Sequence, residues 1–162
     1  MKKILVLLIC LCAFATTTFA QRGESSLGAN LNFSNERNIG IGVKYRYSFT
    51  DNWRIEPVFN YYFKHDYVSM WDLGANMHYV IPVASKISVY PLAGLEYANT
   101  KLHFSDLGEY WKSTNDGQIA INLGAGVDFE IASNVTLDLG LKYQIIDNWN
   151  QLVFNAGISF AF

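Results

Sequence analysis

The side chains with the most chemical capacity in this sequence keep to one beat. Lys44, Arg46, Arg54, Glu56, His78, Asp128, Glu130, Asp138 and Lys142 all stand at even positions within stretches that alternate every two residues. Both signs of charge share that beat, so the set is suited to pairing within itself, since an unpaired charge in a confined space costs several kcal/mol. Other constellations invite catalytic readings. His65 beside Asp66, with Ser69 nearby, has the residue types of a nucleophilic triad, but nothing in the spacing fixes a geometry. In KLHFSDLGEYW, His103 and Ser105 lie two apart, with Glu109 as a possible acid. Asp106, Glu109 and Asp116 offer oxygen donors of the kind calcium takes. No loop spacing enforces that site, and Asn115-Asp116-Gly117 reads more simply as a turn. No cofactor is implied.

The elements that would position these residues follow from the opposite beat. Eight segments place large apolar residues at every second position: 27–33, 39–49, 53–63, 71–81, 87–97, 119–129, 135–145 and 152–162. The period is two throughout, which is that of strands and not of helices. The apolar beats carry no charge and no glycine. The other beat carries the charges above, with Asp72 and Glu96, together with Gly28, Gly40, Gly42, Gly74, Gly94, Gly124, Gly126, Gly140 and Gly157. A wet outer face has no reason to collect glycines, which weaken strands. A narrow polar interior does, because long charged side chains need room beside them. The apolar face therefore points outward into lipid.

The remaining sequence agrees. Residues 1–20 pair Lys2 and Lys3 with an apolar run and end in Thr18-Phe19-Ala20, the pattern of a cleaved secretory signal peptide, leaving 21–162 as a single domain. Both cysteines, Cys10 and Cys12, lie in that leader, and the residues before them are too large for a lipoprotein signal. The remainder then has no thiol chemistry. It keeps ten basic residues against fourteen acidic ones, which excludes a nucleic-acid footprint. No later segment approaches the roughly 18 apolar residues of a membrane helix, but a closed barrel crosses a bilayer without one. Three short, similar connections, SFTDNWR, IPVASKI and EIASNVT, join strands 2–3, 4–5 and 6–7. The other four connections include a long one near 98–117, and this asymmetry places the longer loops outside and both termini in the periplasm. Aromatics at the strand ends (Tyr47, Phe49, Trp53, Tyr79, Phe129, Phe160 and Phe162 at one end, Tyr61, Phe63, Trp71, Tyr97 and Tyr143 at the other) suggest two interfacial girdles. Pro57 and Pro91 fall inside strands, where each removes a ladder donor; bulges are expected there.

The chain thus resembles the small eight-stranded outer-membrane barrels of the OmpX and OmpA-transmembrane type, the outer membrane beta-barrel domain family of Gram-negative envelopes. The likeness spans residues 21–162 and is sharpest at Gly157-Ile158-Ser159-Phe160-Ala161-Phe162. That ending is similar to the glycine-x-x-aromatic-x-aromatic signal read by the barrel-assembly machinery, with Ala156 where the family has a polar residue. The resemblance implies an antiparallel up-and-down transmembrane β-barrel in the outer membrane. Gly157, Phe160 and Phe162 would form its assembly signal, and its partners would be outer-membrane lipid and lipopolysaccharide, with periplasmic chaperones during biogenesis. It does not fix a function, because one barrel hosts many. His103 and Ser105 also resemble the His-x-Ser pair of barrel lipases that trim lipopolysaccharide, with a shorter spacing to the acid.

Three functions remain. The leading expectation is a non-enzymatic structural or surface-interaction protein, its lumen plugged by polar pairs. Phe104, Tyr110 and Trp111 in the long loop are then either the candidate contacts for an extracellular ligand or a lid packed over the barrel mouth. A narrow pore for ions or small solutes, and a lipid-A-modifying enzyme, are the alternatives.

Overall fold

The computed structural model describes residues 23–35, 39–65, 68–102, 114–147 and 149–162. Strand segments follow the alternation: β1 (Ser25–Ser34), β2 (Ile39–Ser48), β3 (Trp53–His65), β4 (Val68–Tyr79), β5 (Ile81–Ala84), β6 (Ile87–Leu102), β7 (Thr114–Ala132), β8 (Val135–Ile146) and β9 (Trp149–Ala161). β4 and β5 are two parts of one stave interrupted at Val80, so the wall has eight staves. Every neighbour is antiparallel and next in sequence, and β1 pairs with β9 to close the barrel. Closure leaves no open sheet edge between the staves, which is what lets a sheet sit in lipid.

The registers set the width. Stepping across paired residues from Ser48 leads to Arg54, His78, Leu92, Gly124, Lys142, Val153 and Ser34. The amide of Ser48 also donates to the carbonyl of Glu24, so one circuit of the barrel ends ten residues along β1 from where it began. With ordinary strand spacing and rise, that stagger tilts the strands by about 40° and gives a Cα radius of about 8 Å. Such a lumen is filled by side chains.

Burial follows parity and inverts the order of a soluble protein. Leu27, Leu73, Leu95 and Leu123 are 57%, 55%, 60% and 51% exposed, whereas Asp72, His78 and Asp138 are fully buried. The outward aromatics touch one another at both ends, as in Trp53 with Tyr79 (ring centroids 5.1 Å apart) and Trp71 with Tyr97 (5.8 Å). Among the described residues no helix is long and apolar enough to cross a membrane.

Two expectations need correction. Neither Pro57 nor Pro91 makes a bulge: Pro57 stays in register with Ala75, and Pro91 with Ala125. Each proline instead drops rungs from its other ladder without shifting it. The β2–β3 pairing passes from Lys44–Val58 to Tyr47–Ile55, and the pairing on β6 passes from His78–Leu92 to Ile81–Val89. The second gap is the break at Val80, whose amide donates to Asn52 O instead (2.7 Å). A strand residue aims its N–H at one neighbour only, so a proline costs only that side. The register shifts lie elsewhere, between Tyr62 and His65, Pro82 and Ala84, and Glu130 and Ala132.

The long connection is also shorter than expected. Strand pairing between β6 and β7 continues up to Leu102–Thr114. Above the apolar belt neither face meets lipid, so the ladder goes on while the alternation lapses, with Asn99 on the formerly apolar beat.

Candidate functional site

The lumen is built in layers. The end where Gly23 and Phe162 lie is called here the near end. Its layer is a ring of charges projecting from β2, β3, β7 and β8. Arg46, 3% exposed, sits at its centre. Its Nε donates to Glu56 Oε2 (2.7 Å), Nη1 to Asp128 Oδ1 (3.3 Å), and Nη2 lies 3.2 Å from Asp138 Oδ1. Lys44 Nζ donates to the same Asp138 oxygen at 2.5 Å. Arg54 Nη1 donates to Asp128 Oδ2 (2.8 Å), and Arg54 Nη2 lies 3.0 Å from His78 Nδ1. With Nδ1 accepting from a guanidinium, a neutral His78 ring carries its proton on Nε2, which faces Glu56 Oε1 at 3.6 Å. The imidazole stacks on Tyr90 (4.4 Å, 12°), and the Arg54 guanidinium lies 5.0 Å from the same tyrosine ring. The ring is electrically balanced: Lys44, Arg46 and Arg54 oppose Glu56, Asp128 and Asp138.

Glycine makes room for this packing at two places. A Cβ on Gly157 would run into Lys44 Nζ and Asp138 Oδ2, and one on Gly126 would run into the Tyr90 ring. Glu130, by contrast, stands half-buried at the near-end mouth beside Glu24 and Lys86. The mouth holds a cavity of about 50 Å³, lined among others by Ser26, Ser48, Ser88 and Thr136.

An amide layer follows. Asn30 Nδ2 donates to Asn32 Oδ1 (2.8 Å), Asn32 Nδ2 to Asn60 Oδ1 (2.8 Å), and Asn122 Nδ2 to Asn76 Oδ1 (2.9 Å). A void of about 20 Å³ lies among Asn30, Asn60, Asn76 and Asn155, between Lys44 below and Lys142 above. Next comes a second charged layer. Lys142 Nζ donates to both oxygens of Glu96 (2.8 Å each), Gln144 Nε2 donates to Glu96 Oε2 (2.7 Å), and Asn60 Nδ2 donates to Asp72 Oδ1 (2.6 Å). Gln151 Nε2 donates to Gln144 Oε1, and Ser34 Oγ to Gln151 Oε1 (2.6 Å).

Of the residues singled out from sequence, Lys44, Arg46, Arg54, Glu56, His78, Asp128 and Asp138 meet in one ring. Lys142 joins the second layer instead, and Glu130 stays at the mouth. Asp72, Glu96, Tyr90 and the amides are further members of the filling. All are on the inward beat, so the parity that marks the others marks them too. Phe160 and Phe162 point outward, 49% and 79% exposed, and the Phe162 amide donates to Ser25 O (2.9 Å), holding the chain end in the ladder. Phe104, Tyr110, Trp111, His103, Ser105, Asp106 and Glu109, like the leader, lie outside the described residues. Among the described residues no cluster of His, Cys, Asp and Glu could hold a metal ion.

A closed eight-staved barrel with an apolar outside and a polar inside defines an integral membrane β-barrel. The chain belongs to the outer membrane protein beta-barrel domain family, which it matches over residues 5–162. Among solved structures it is similar to the N-terminal β-barrel domain of Pseudomonas aeruginosa OprF (TM-score 0.72, 18% identity, 87% of this chain and 98% of that one). It is also similar to Ail, the attachment invasion locus protein of Yersinia pestis (0.64, 20%, 88% and 100%). The outer membrane enzyme PagL aligns as well (0.50, 10%, 83% and 98%). At these identities the likeness is one of fold. No curated protein is similar in sequence at a significant level.

Proposed function

We propose that this protein is a non-enzymatic barrel of the outer membrane with a structural and surface-contact role, its lumen plugged and both termini in the periplasm. The observation that carries this reading is the near-end ring, in which three cations and three carboxylates neutralise one another with side-chain exposures of at most 11%. A ring committed to itself offers a solute no free charge, and the voids flanking it are small, about 50 Å³ at the mouth and about 20 Å³ on the inner side. Contact with the outside then falls to the loops. The β6–β7 hairpin rises past the end of β8 and carries residues 103–113, where Phe104, Tyr110 and Trp111 are the proposed contacts for an extracellular ligand. Outer-membrane lipid and lipopolysaccharide would surround the belt. The barrel-assembly machinery and periplasmic chaperones would deliver the chain through Gly157, Phe160 and Phe162.

The test is ion conductance of the refolded protein in planar bilayers, with insertion proved separately by protease protection. Steady silence is expected; discrete open events would replace the plugged scaffold with a narrow pore. The surface role is checked in cells producing a Phe104→Ser, Tyr110→Ser, Trp111→Ser triple variant. It should reach the outer membrane at the normal level and lose adherence; unchanged adherence would remove these residues from the contact.

A further inference from the structure

Every seam of the wall but one joins staves that follow each other in the chain. The exception pairs residues 26–34 of β1 with residues 153–161 of β9. That seam closes the longest loop of the fold, so forming it costs the most chain entropy. If it parted, two strand edges would be left without partners in lipid.

Lys44 and Asp138 stand on the strands that flank this seam, in the order β2, β1, β9, β8. Lys44 is the register partner of Gly28 on β1, and Asp138 that of Gly157 on β9. Lys44 Nζ nevertheless reaches Asp138 Oδ1 at 2.5 Å, and Arg46 Nη2, also from β2, lies 3.2 Å from the same oxygen. The lysine crosses by lying over the two glycines. A Cβ on Gly28 would stand 3.1 Å from Lys44 Cε, and one on Gly157 would run into Lys44 Nζ and stand 2.8 Å from Asp138 Oδ2. Lys44 and Asp138 are both buried, so salt and water screen the pair little.

The pair is also sensitive to register. A slip of one residue across the seam would turn every side chain of a strand to the other face. A slip of two keeps the faces but carries Asp138 about 7 Å along the wall, away from the ammonium. We propose that the Lys44–Asp138 ion pair, backed by Arg46, is a strap that holds the β1–β9 seam shut and in register, with Gly28 and Gly157 as the bed it lies in. The strap goes beyond the plugged-lumen reading and does not depend on it, because a conducting barrel would need its seam closed as much as a silent one.

Amide hydrogen exchange, followed by NMR in detergent micelles, tests the strap. On β1 the odd residues face β9, since Ser25 O accepts from the Phe162 amide and the Asn35 amide donates to Leu152 O. The Ala29 and Leu31 amides therefore cross the seam. The Val58 and Asn60 amides face β4 and serve as the reference, since the other beat of β3 holds Pro57, whose missing rung is on the β2 side. Two variants are compared with the wild type, Asp138→Asn and Glu56→Gln. Each removes one carboxylate from the same buried ring, but Glu56 meets Arg46 and His78 on the strands either side of its own and does not span the closing seam. In Asp138→Asn, exchange at Ala29 and Leu31 should rise about tenfold more than at Val58 and Asn60, whereas Glu56→Gln should leave that ratio within about twofold of wild type. Heat-modifiable gel mobility confirms folding; should Asp138→Asn fail to fold, Lys44→Met takes its place and is judged by the same ratio. Equal acceleration at the seam and the reference in the strap variant overturns the proposal. So does a Glu56→Gln variant that opens the seam as selectively.

Discussion

At the residue scale the interior is held by matched charges, and the cost of breaking a match exceeds the gain of having made it. Lys142 is the clearest case, because its ammonium lies 2.8 Å from both oxygens of Glu96. Lys142→Met leaves that carboxylate with no cation, and with only the neutral amides of Gln144 (2.7 Å) and, at longer range, Asn76 (3.5 Å). It should destabilise the barrel by about 3–5 kcal/mol, as breaking one side of a buried pair does. Adding Glu96→Gln removes the stranded charge while keeping an acceptor for Gln144, and should recover most of that loss. Urea unfolding in lipid vesicles, followed by tryptophan fluorescence, measures both, and equal destabilisation of the single and double variants would refute the pairing argument. Gly157 poses the opposite problem, of space and not charge. Gly157→Ala pushes a methyl group against Lys44 Nζ and Asp138 Oδ2 and should cost about 1–3 kcal/mol in the same assay. Alanine at the outward Gly117 would meet the Tyr97 hydroxyl at the rim, away from the charged ring.

At the scale of the strand, the prolines show how a sheet accepts a missing donor in lipid. Pro91 lies opposite the break between β4 and β5, so its absent N–H and the interruption at Val80 are one feature. Pro91→Ala supplies the donor and should join the two segments. A gain of about 1 kcal/mol is expected, set by one net hydrogen bond against the conformational freedom returned to the unfolded chain. Hydrogen exchange of the Tyr79 and Val80 amides is the direct check and should slow; unchanged exchange would assign the break to the Val80–Asn52 contact instead. The elements themselves were largely legible in the sequence, since a two-residue period with charges on one beat and Leu, Ile and Phe on the other has only one reading. What alternation could not convey is what it does not constrain. A proline's N–H points to one neighbour, which parity does not reveal, and above the apolar belt the strands to Leu102 and from Thr114 run without an outward apolar beat. Pairing across the lumen was legible only where it is local. Arg46 meets Glu56 ten positions on, over a hairpin, whereas Lys44 meets Asp138 across 94, a contact set by the ten-residue stagger of the whole wall.

For the whole molecule, stability must come from the inversion of inside and outside, and this gives the prediction that separates a membrane barrel from a soluble one most sharply. Leu139 and Asp138 are neighbours on β8; one is 41% exposed on the outer face and the other fully buried in the ring. In water an arginine at Leu139 would be an ordinary surface change worth a few tenths of a kcal/mol. In a bilayer the same side chain, midway along a strand that runs from Val135 to Ile146, must be carried into hydrocarbon and should cost about 2–4 kcal/mol. Tyr47 is close to the near-end turn, and Tyr47→Arg should cost no more than about 1 kcal/mol, because the guanidinium reaches the interface. The ratio of the two losses, measured by reversible unfolding from vesicles, depends on depth alone, since both sites face outward on regular strands. Equal losses would mean that the belt does not lie in a bilayer. A steep difference would locate the hydrocarbon on the outer wall, against the belt of leucines and aromatics that the odd beat of β1 to β8 presents.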